Sequence, residues 1–377
     1  MKNERSFVFN SARRIVVKVG SNVLTQNAGL NLKAIRAISR QISRLIDAGL
    51  EVILITSGAM ASGIRKIGLT YRPDEIPKRQ AIAAVGQAGL ILEYEKAFAK
   101  DQRKVAQILL TSEDLNHRQR YLNARNTIHT LLSWKVIPII NENDTIRVEE
   151  IKLGDNDNLA AMIALLMDAD ILINLTDIDG LYDKDPRTYS DAKLISEVST
   201  YKRQLEAYAS AIPGALGTGG MLSKIKAARK VTSAGIPMII AKGDKRNILI
   251  NLYQGKPLGT YFVPKAKKMA SRKSWIAYTL KPKGNLVIDN GACKAILNNG
   301  KSLLPGGIIQ VIGEFRAGAP VQIMNSEQNV LAHGLVNYGA AEIRKIMGLK
   351  SGQIKECLGD KPYDEVIHRD NLVVTLV

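Results

Sequence analysis

Cysteine and histidine are scarce in this chain of 377 residues: two cysteines, Cys293 and Cys357, and four histidines, His117, His129, His333 and His368. Neither cysteine lies within metal-ligand spacing of the other or of a histidine, which argues against a structural zinc site and fits a reducing compartment. No apolar run approaches the roughly 20 residues of a membrane span, and Met1 to Arg14 lacks the continuous apolar core of a signal peptide. The sequence therefore reads as cytoplasmic. Two common nucleotide-binding signatures are missing as well. There is no G-x-G-x-x-G, and the Gly300, Lys301, Ser302 triplet has Ala295 where G-x-x-x-x-G-K-[ST] needs its first glycine.

Positive charge is what the chain has in plenty, with 53 Lys and Arg against 35 Asp and Glu and a net charge of +18. Such an excess points to nucleic acid or a phosphate-rich substrate only where it is concentrated. From Lys265 onward there are 16 basic and 9 acidic residues, but Lys265, Lys267, Lys268, Arg272 and Lys273 crowd one short stretch. The rest of the excess is spread over the first 264 residues, so the reading is a generally basic surface.

With 46% apolar and 23% charged residues the chain is ordinary globular material, long enough for two domains. Apolar, β-branched runs at Ile15–Val19, Val52–Thr56, Val105–Leu110, Val136–Ile140, Ile171–Thr176 and Pro237–Ala241 alternate with longer helical patterns. Continuous apolar strands separated by helices predict an α/β domain, a doubly wound, mostly parallel sheet covered on both faces. The segment Tyr261 to Ser274 lacks apolar periodicity, carries Pro264 and is dense in lysine, as in an exposed linker. The predicted division is a domain over 1–264, a basic linker over 265–274 and a second domain with a C-terminal extension over 275–377. Short glycine-punctuated runs at Leu286–Asp289, Gly307–Ile312, Val321–Met324 and Leu331–Tyr338 predict that the second domain is a small β-rich barrel or sandwich.

In open parallel sheets ligands bind beyond the carboxyl ends of the strands, and four such edges are unusual. VVKVGSN places Lys18 at a strand end, followed by Gly20 and Ser21. ITSGAMASG has Ser57 and Gly58 opening a helix. PIINEND, ending at Asp144, is followed by GDNDN, Gly154 to Asn158. LINLTDIDG carries Thr176 and Asp177 and is answered by GALGTGGMLSK, Gly214 to Lys224. Glycines there serve tight turns, or let the backbone approach an anion beside free helix amides. A lysine such as Lys18 in an apolar strand is costly to bury without an anionic partner. Lys224 stands in the first turn of a helix, where a cation opposes the dipole. The run Asp155 to Asn158 holds more polar residues than a cap needs, and Asp157 is placed to orient both lysines by charge-assisted hydrogen bonds. NEND is a polar turn or a set of amide and carboxylate groups suited to a zwitterionic small molecule. None of these loops holds a histidine or cysteine, so thiol nucleophile and imidazole base both lack a candidate. Two cations and few groups titrating near neutrality suit phosphoryl transfer, and a carboxylate acceptor, ionised at pH 7, needs no base.

The ordered set VVKVG, TSGAMASG, QILLT, RYLNARNT, VIPIINEND, KLGDNDNLAA, LTDIDGLYDKDPR and GALGTGGMLSK resembles the amino-acid kinase family, and within it the glutamate 5-kinases, over residues 14 to 264. GACKAILNNGKSLLPGGI and AHGLVNY resemble the PUA domain appended to many bacterial members. The resemblance implies ATP-dependent phosphorylation of the γ-carboxylate of L-glutamate, the first step of proline biosynthesis. It implies that Lys18 contacts the ATP phosphates and that Ser57, Asp144 and Asn156 bind glutamate. Thr176, Asp177 and the loop Thr218, Gly219, Gly220, Met221, Leu222, Ser223, Lys224 would hold the nucleotide. Lys18 and Lys224 would stabilise the transferring phosphoryl group, with Asp157 organising them. Magnesium would be carried mainly by the nucleotide phosphates, with no dedicated metal site in the protein. Feedback inhibition by proline at a site overlapping that of glutamate, and association as a homodimer or homotetramer, are also implied. Two positions depart from the family pattern, Asn22 and Leu222, where side-chain hydroxyls are frequent. Two other readings stay open: a kinase of this fold acting on aspartate, acetylglutamate or a nucleoside monophosphate, and an RNA-binding regulator using the PUA-like domain. Beyond the lysine-rich stretch only 11 basic residues face 9 acidic ones, which predicts weak, salt-dependent RNA binding at best.

Overall fold

The computed structural model describes residues 8–9, 11–26, 29–146, 155–199, 205, 220–264, 273, 275–360 and 362–375. The chain divides into two compact units, Met1–Met269 and Ala270–Val377. Most of the predicted linker, 265–272 and 274, lies outside the described residues.

The six apolar runs form strands β1 (Arg14–Val19), β2 (Glu51–Ile55), β3 (Lys104–Leu110), β4 (Val136–Glu142), β5 (Ile171–Thr176) and, after the two-residue β6 (Glu197–Val198), β7 (Met238–Lys242). With β8 (Thr260–Phe262) they make an eight-stranded sheet in the order β3-β4-β2-β1-β5-β7-β8-β6. Every pair from β3 to β7 is parallel, β8 runs antiparallel to β7, and β6 is parallel to β8. The last pair corrects the linker reading at its start: Tyr261 and Phe262 are buried strand residues, not exposed chain. Their apolar pattern is only three residues long, too short for periodicity to separate strand from linker.

Side chains alternate across each strand. Ile15, Val17 and Val19 of β1 and Ile171, Ile173 and Leu175 of β5 join one core with helix α1 (Leu32–Asp47). Asn31 caps α1, its Oδ1 accepting from the Ala34 amide at 3.1 Å, and Ile35, Ile38, Ile42 and Leu45 form the apolar stripe that docks on the sheet. The intervening residues, Lys18 and Asn174 among them, face the other side, where α5 (Asp155–Leu166) and α6 (Met221–Ser233) pack. Helices α2 (Ala59–Ile67), α3 (Ile76–Ala99) and α4 (Arg118–Ser133) add to the layers, and the short helix Ile248–Tyr253 joins the core beside α1.

Helix α2, which begins just after Ser57, lies almost backbone to backbone on α3. A Cβ on Gly86 would stand 1.8 Å from the Ala59 carbonyl oxygen, and one on Gly63 would stand 1.9 Å from that of Ile82. Gly86→Ala is therefore expected to destabilise the protein by about 1–3 kcal/mol through overpacking. Chemical denaturation of the variant checks this, and an unchanged midpoint would show that the helices separate freely.

The second unit carries β9 (Gly284–Ile288), β10 (Ile308–Ile312), β11 (Pro320–Met324), β12 (Val330–Leu335) and β13 (Leu372–Val374) in the order β10-β9-β11-β12-β13. Only β9 and β11 pair in parallel. Leu286, Ile288, Val321, Ile323, Ile343 and Ile346 build a core of its own. The glycine-punctuated runs predict the first four strands. The fifth comes from the segment read only as a C-terminal extension.

Candidate active site

The carboxyl ends of β1 and β5 and the first turns of α5 and α6 converge on one carboxylate, that of Asp157. Lys18 and Asn174 are direct register partners across β1 and β5. Lys18 Nζ donates to Asp157 Oδ1 at 2.5 Å, and the Asn174 Nδ2 amide donates to the same oxygen at 2.8 Å. On the other oxygen, Oδ2, Lys224 Nζ donates at 3.1 Å and the Ser223 hydroxyl at 2.6 Å. Lys18 and Lys224 are each 5% exposed and Asp157 1%. Burial pushes the Lys18 ammonium down from its usual range, against the pull of Asp157, and Lys224 adds to that push. Burial alone would raise the Asp157 carboxyl, but Lys18 and Lys224 outweigh it and hold the group well below the usual carboxylate range. Asp157 is thus a fixed anion with four donors around two oxygens, and its two cations carry a net positive charge toward any ligand beside them.

A second chain of contacts starts one residue earlier. Asn156 Nδ2 donates to Ser57 Oγ at 2.9 Å and to Asn141 Oδ1 at 3.1 Å, and Asn141 Nδ2 donates to Gln87 Oε1 at 2.7 Å. Asn156 Oδ1 is buried and has no hydrogen-bond partner among the described residues. Asp144 lines a cleft of about 270 Å³ together with Gln87, Gln107, Glu142 and Thr145. A larger cleft of about 410 Å³, between Arg40 and Arg44 of α1 and the Lys100–Gln102 turn, shares no residue with these groups and lies toward the amino edge of the sheet.

At the end of β5 the Thr176 hydroxyl donates to Asp177 Oδ1 at 3.0 Å, and Asn22 Nδ2 donates to Asp177 Oδ2 at 2.8 Å. Burial works against the Asp177 charge, but these two hydrogen bonds hold its carboxyl below the usual range. Asn22, where a hydroxyl is frequent in the family, therefore has its own task here. The Gly20 amide donates to the Leu175 carbonyl oxygen at 2.9 Å, which ties β1 to β5 and removes that amide from the ligand-ready set expected of a glycine after a strand. Gly220 opens α6 without a side-chain cap, the Ser223 amide turns back to the Gly220 carbonyl oxygen at 3.2 Å, and the start of the helix presents the positive end of its dipole. Met221 is buried beside it, with Leu222 half-buried. Thr218 and Gly219 lie outside the described residues.

The structure thus brings Lys18, Asp157, Ser223 and Lys224 into contact, links Ser57 to Asn156, and joins Thr176 to Asp177. Asn174 and Gln87 belong to the same network and escape the sequence reading. For Asn174 the available signal is a lone amide within the aliphatic run Ile171 to Leu175. Among the described residues no three His, Cys, Asp or Glu side chains gather as a metal site, and no helix is long and apolar enough to cross a membrane.

Residues 13–242 match the amino acid kinase family, and residues 284–358 match the PUA domain. The chain belongs to the amino acid kinase family. Glutamate 5-kinase of Syntrophus aciditrophicus is 49% identical to this amino acid kinase over 374 residues, covering 99% of this chain and 97% of that protein. Glutamate 5-kinase of Caldanaerobacter subterraneus subsp. tengcongensis is 50% identical over 362 residues, covering 96% and 97%. Among solved structures, UMP kinase from Bacillus anthracis covers 68% of this chain and 97% of its own, at 14% identity and a TM-score of 0.48.

Proposed function

We propose that this amino acid kinase is an ATP-dependent glutamate 5-kinase: it phosphorylates the γ-carboxylate of L-glutamate to L-glutamyl 5-phosphate, the first step of proline biosynthesis. The observation that carries the reading is the buried Lys18–Asp157–Lys224 assembly in a chain similar to glutamate 5-kinases from end to end. Two anionic reactants repel each other, and catalysis of their meeting is mostly charge neutralisation and positioning. Lys18 and Lys224 supply the charge, held by Asp157 so that neither ammonium reorganises during transfer. The acceptor carboxylate is already ionised near neutrality, which agrees with a site holding no histidine or cysteine. One of its oxygens forms the bond to the γ-phosphorus while the bond to the ADP oxygen breaks, and no proton need move.

On this reading Ser57, Asn156 and Asp144 take up glutamate, the unpartnered Asn156 Oδ1 and the Asp144 carboxylate offering acceptors to an α-ammonium group. Thr176, Asp177, the Gly220–Lys224 turn and the Thr218–Gly219 segment before it hold the nucleotide. Both oxygens of Asp157, and both of Asp177, already accept hydrogen bonds. Magnesium therefore fits as an ion carried on the nucleotide phosphates, where it neutralises their charge. Inhibition by proline at the acceptor site, assembly as a homodimer or homotetramer and a cytoplasmic location belong to the same proposal.

The deciding experiment is magnesium-dependent ATP consumption across glutamate, aspartate, acetylglutamate and uridine monophosphate, with and without proline. Turnover with glutamate, suppressed by proline, is the expected result. Turnover with another acceptor alone would keep the fold and overturn the acceptor assignment, and no turnover with any of them, together with an RNA mobility shift at physiological salt, would favour the RNA-binding reading.

A further inference from the structure

Two of the four donors on Asp157 are neutral, and one of these comes from inside the sheet. Asn174 is fully buried in β5, where Ile171, Leu172, Ile173 and Leu175 are all aliphatic. A buried amide is costly unless its groups are hydrogen-bonded, and here only half of it is. Nδ2 donates to Asp157 Oδ1, while Asn174 Oδ1 has no partner among the described residues. A leucine has the same branching; it would remove the unpaired buried acceptor, a gain, and the donor to the Asp157 carboxylate, a loss, so the two changes oppose each other in stability. The amide is therefore poorly explained by stability and well explained by what it touches.

Asn174 stands opposite Lys18 in the strand register, and both reach Oδ1 of Asp157. With the amide on one lone pair of that oxygen, Lys18 is restricted to the other. Ser223 plays the same part for Lys224 on Oδ2. A carboxylate with all four lone-pair directions taken neither rotates nor lets one ammonium bridge both oxygens.

We propose that Asn174 is a positioning residue for phosphoryl transfer, holding the plane of the Asp157 carboxylate so that Lys18 and Lys224 stay apart, one per oxygen, and directed at the transferring group. Resting on the kinase reading above, this inference names the element that preorganises its two cations. Without the amide, Lys18 draws further onto Asp157 and away from the ligand, while substrate contacts made elsewhere persist.

The test begins with wild-type turnover on glutamate, whose absence would be a failure of the kinase reading and not of this one. On active protein, Asn174→Leu is expected to lower kcat about tenfold, the scale of one hydrogen bond to a charged group. KM for ATP and for glutamate should stay within about twofold, the pattern of a loss felt only in the transition state. The thermal midpoint should fall by no more than the loss of that one hydrogen bond, offset by removal of the unpaired Oδ1. A purely structural role predicts the opposite pattern, a midpoint lowered by more than that with kcat per folded molecule preserved, and that result would overturn the proposal. So would a kcat within about twofold of wild type. Asn174→Ala, which adds no atoms, carries the same kcat expectation and decides the matter should the leucine variant not fold. If neither variant folds, Asn174 serves the fold and the proposal fails.

Discussion

Replacing Asp157 with asparagine is expected to lower turnover by about a thousandfold or more and to destabilise the protein by about 3–5 kcal/mol. The two losses share a cause. Asp157 is the shared hydrogen-bonded counter-ion of Lys18 and Lys224, both buried, and the amide that replaces it has one acceptor oxygen for four donors and no charge. Breaking a buried ion pair on one side leaves an uncompensated charge, here two of them. Lys18 then loses the one strong influence that keeps it protonated, because burial and Lys224 both push its ammonium down and only Asp157 pulls it strongly up. Denaturant unfolding and kcat, measured on the same preparation, check both halves. Stability close to wild type would mean that the lysines find other partners, and turnover within tenfold of wild type would remove Asp157 from the catalytic machinery.

This assembly is also where sequence and structure meet most closely. Each of its charged members is visible as a residue out of keeping with its local element: Lys18 in an apolar strand, Lys224 at the wrong end of a helix for a cation, Asp157 in a polar run too long for a cap. Such local conflicts are expected at functional sites. The strands are legible for a different reason, since central parallel strands buried on both faces must be aliphatic throughout. β5 is read to the residue, and β1 to β4 and β7 to within one or two positions at their ends. The edge of the sheet is less legible, because β6 and β8 are two and three residues long and carry too little pattern to distinguish them from loop. Within the site, the neutral members are the ones missed. Asn174 and Gln87 act through single amides, and an isolated Asn or Gln in a sequence says nothing about which carboxylate or carbonyl it will meet until the register of β1 against β5, or the packing of α3 on β4, is known. Gly20 is the converse case: a glycine after a strand suggests a ligand-facing amide, yet tertiary pairing with Leu175 has already used it.

Lys224→Ala separates charge donation from support of the fold. The variant is expected to retain its structure and to lose about 100-fold or more in turnover, the scale of removing one preorganised donor from a developing charge. Removing Asp157 strands two cations, whereas removing Lys224 leaves the carboxylate with Lys18, Asn174 and Ser223 and therefore with a counter-ion and three donors. No buried charge is left alone, so circular dichroism and the unfolding midpoint should change little. The remaining lysine should also respond. Lys224 is one of the influences that push the Lys18 ammonium down, so in the variant Lys18 keeps its proton to higher pH, and the alkaline limb of the residual activity should move upward. Lys18 is faced by Asp157, Lys224 and Asp177, and only Lys224 changes in this variant. Turnover near normal would exclude Lys224 from the reaction. A large loss of turnover with an alkaline limb that stays in place would show that the two ammonium groups do not sense each other across Asp157.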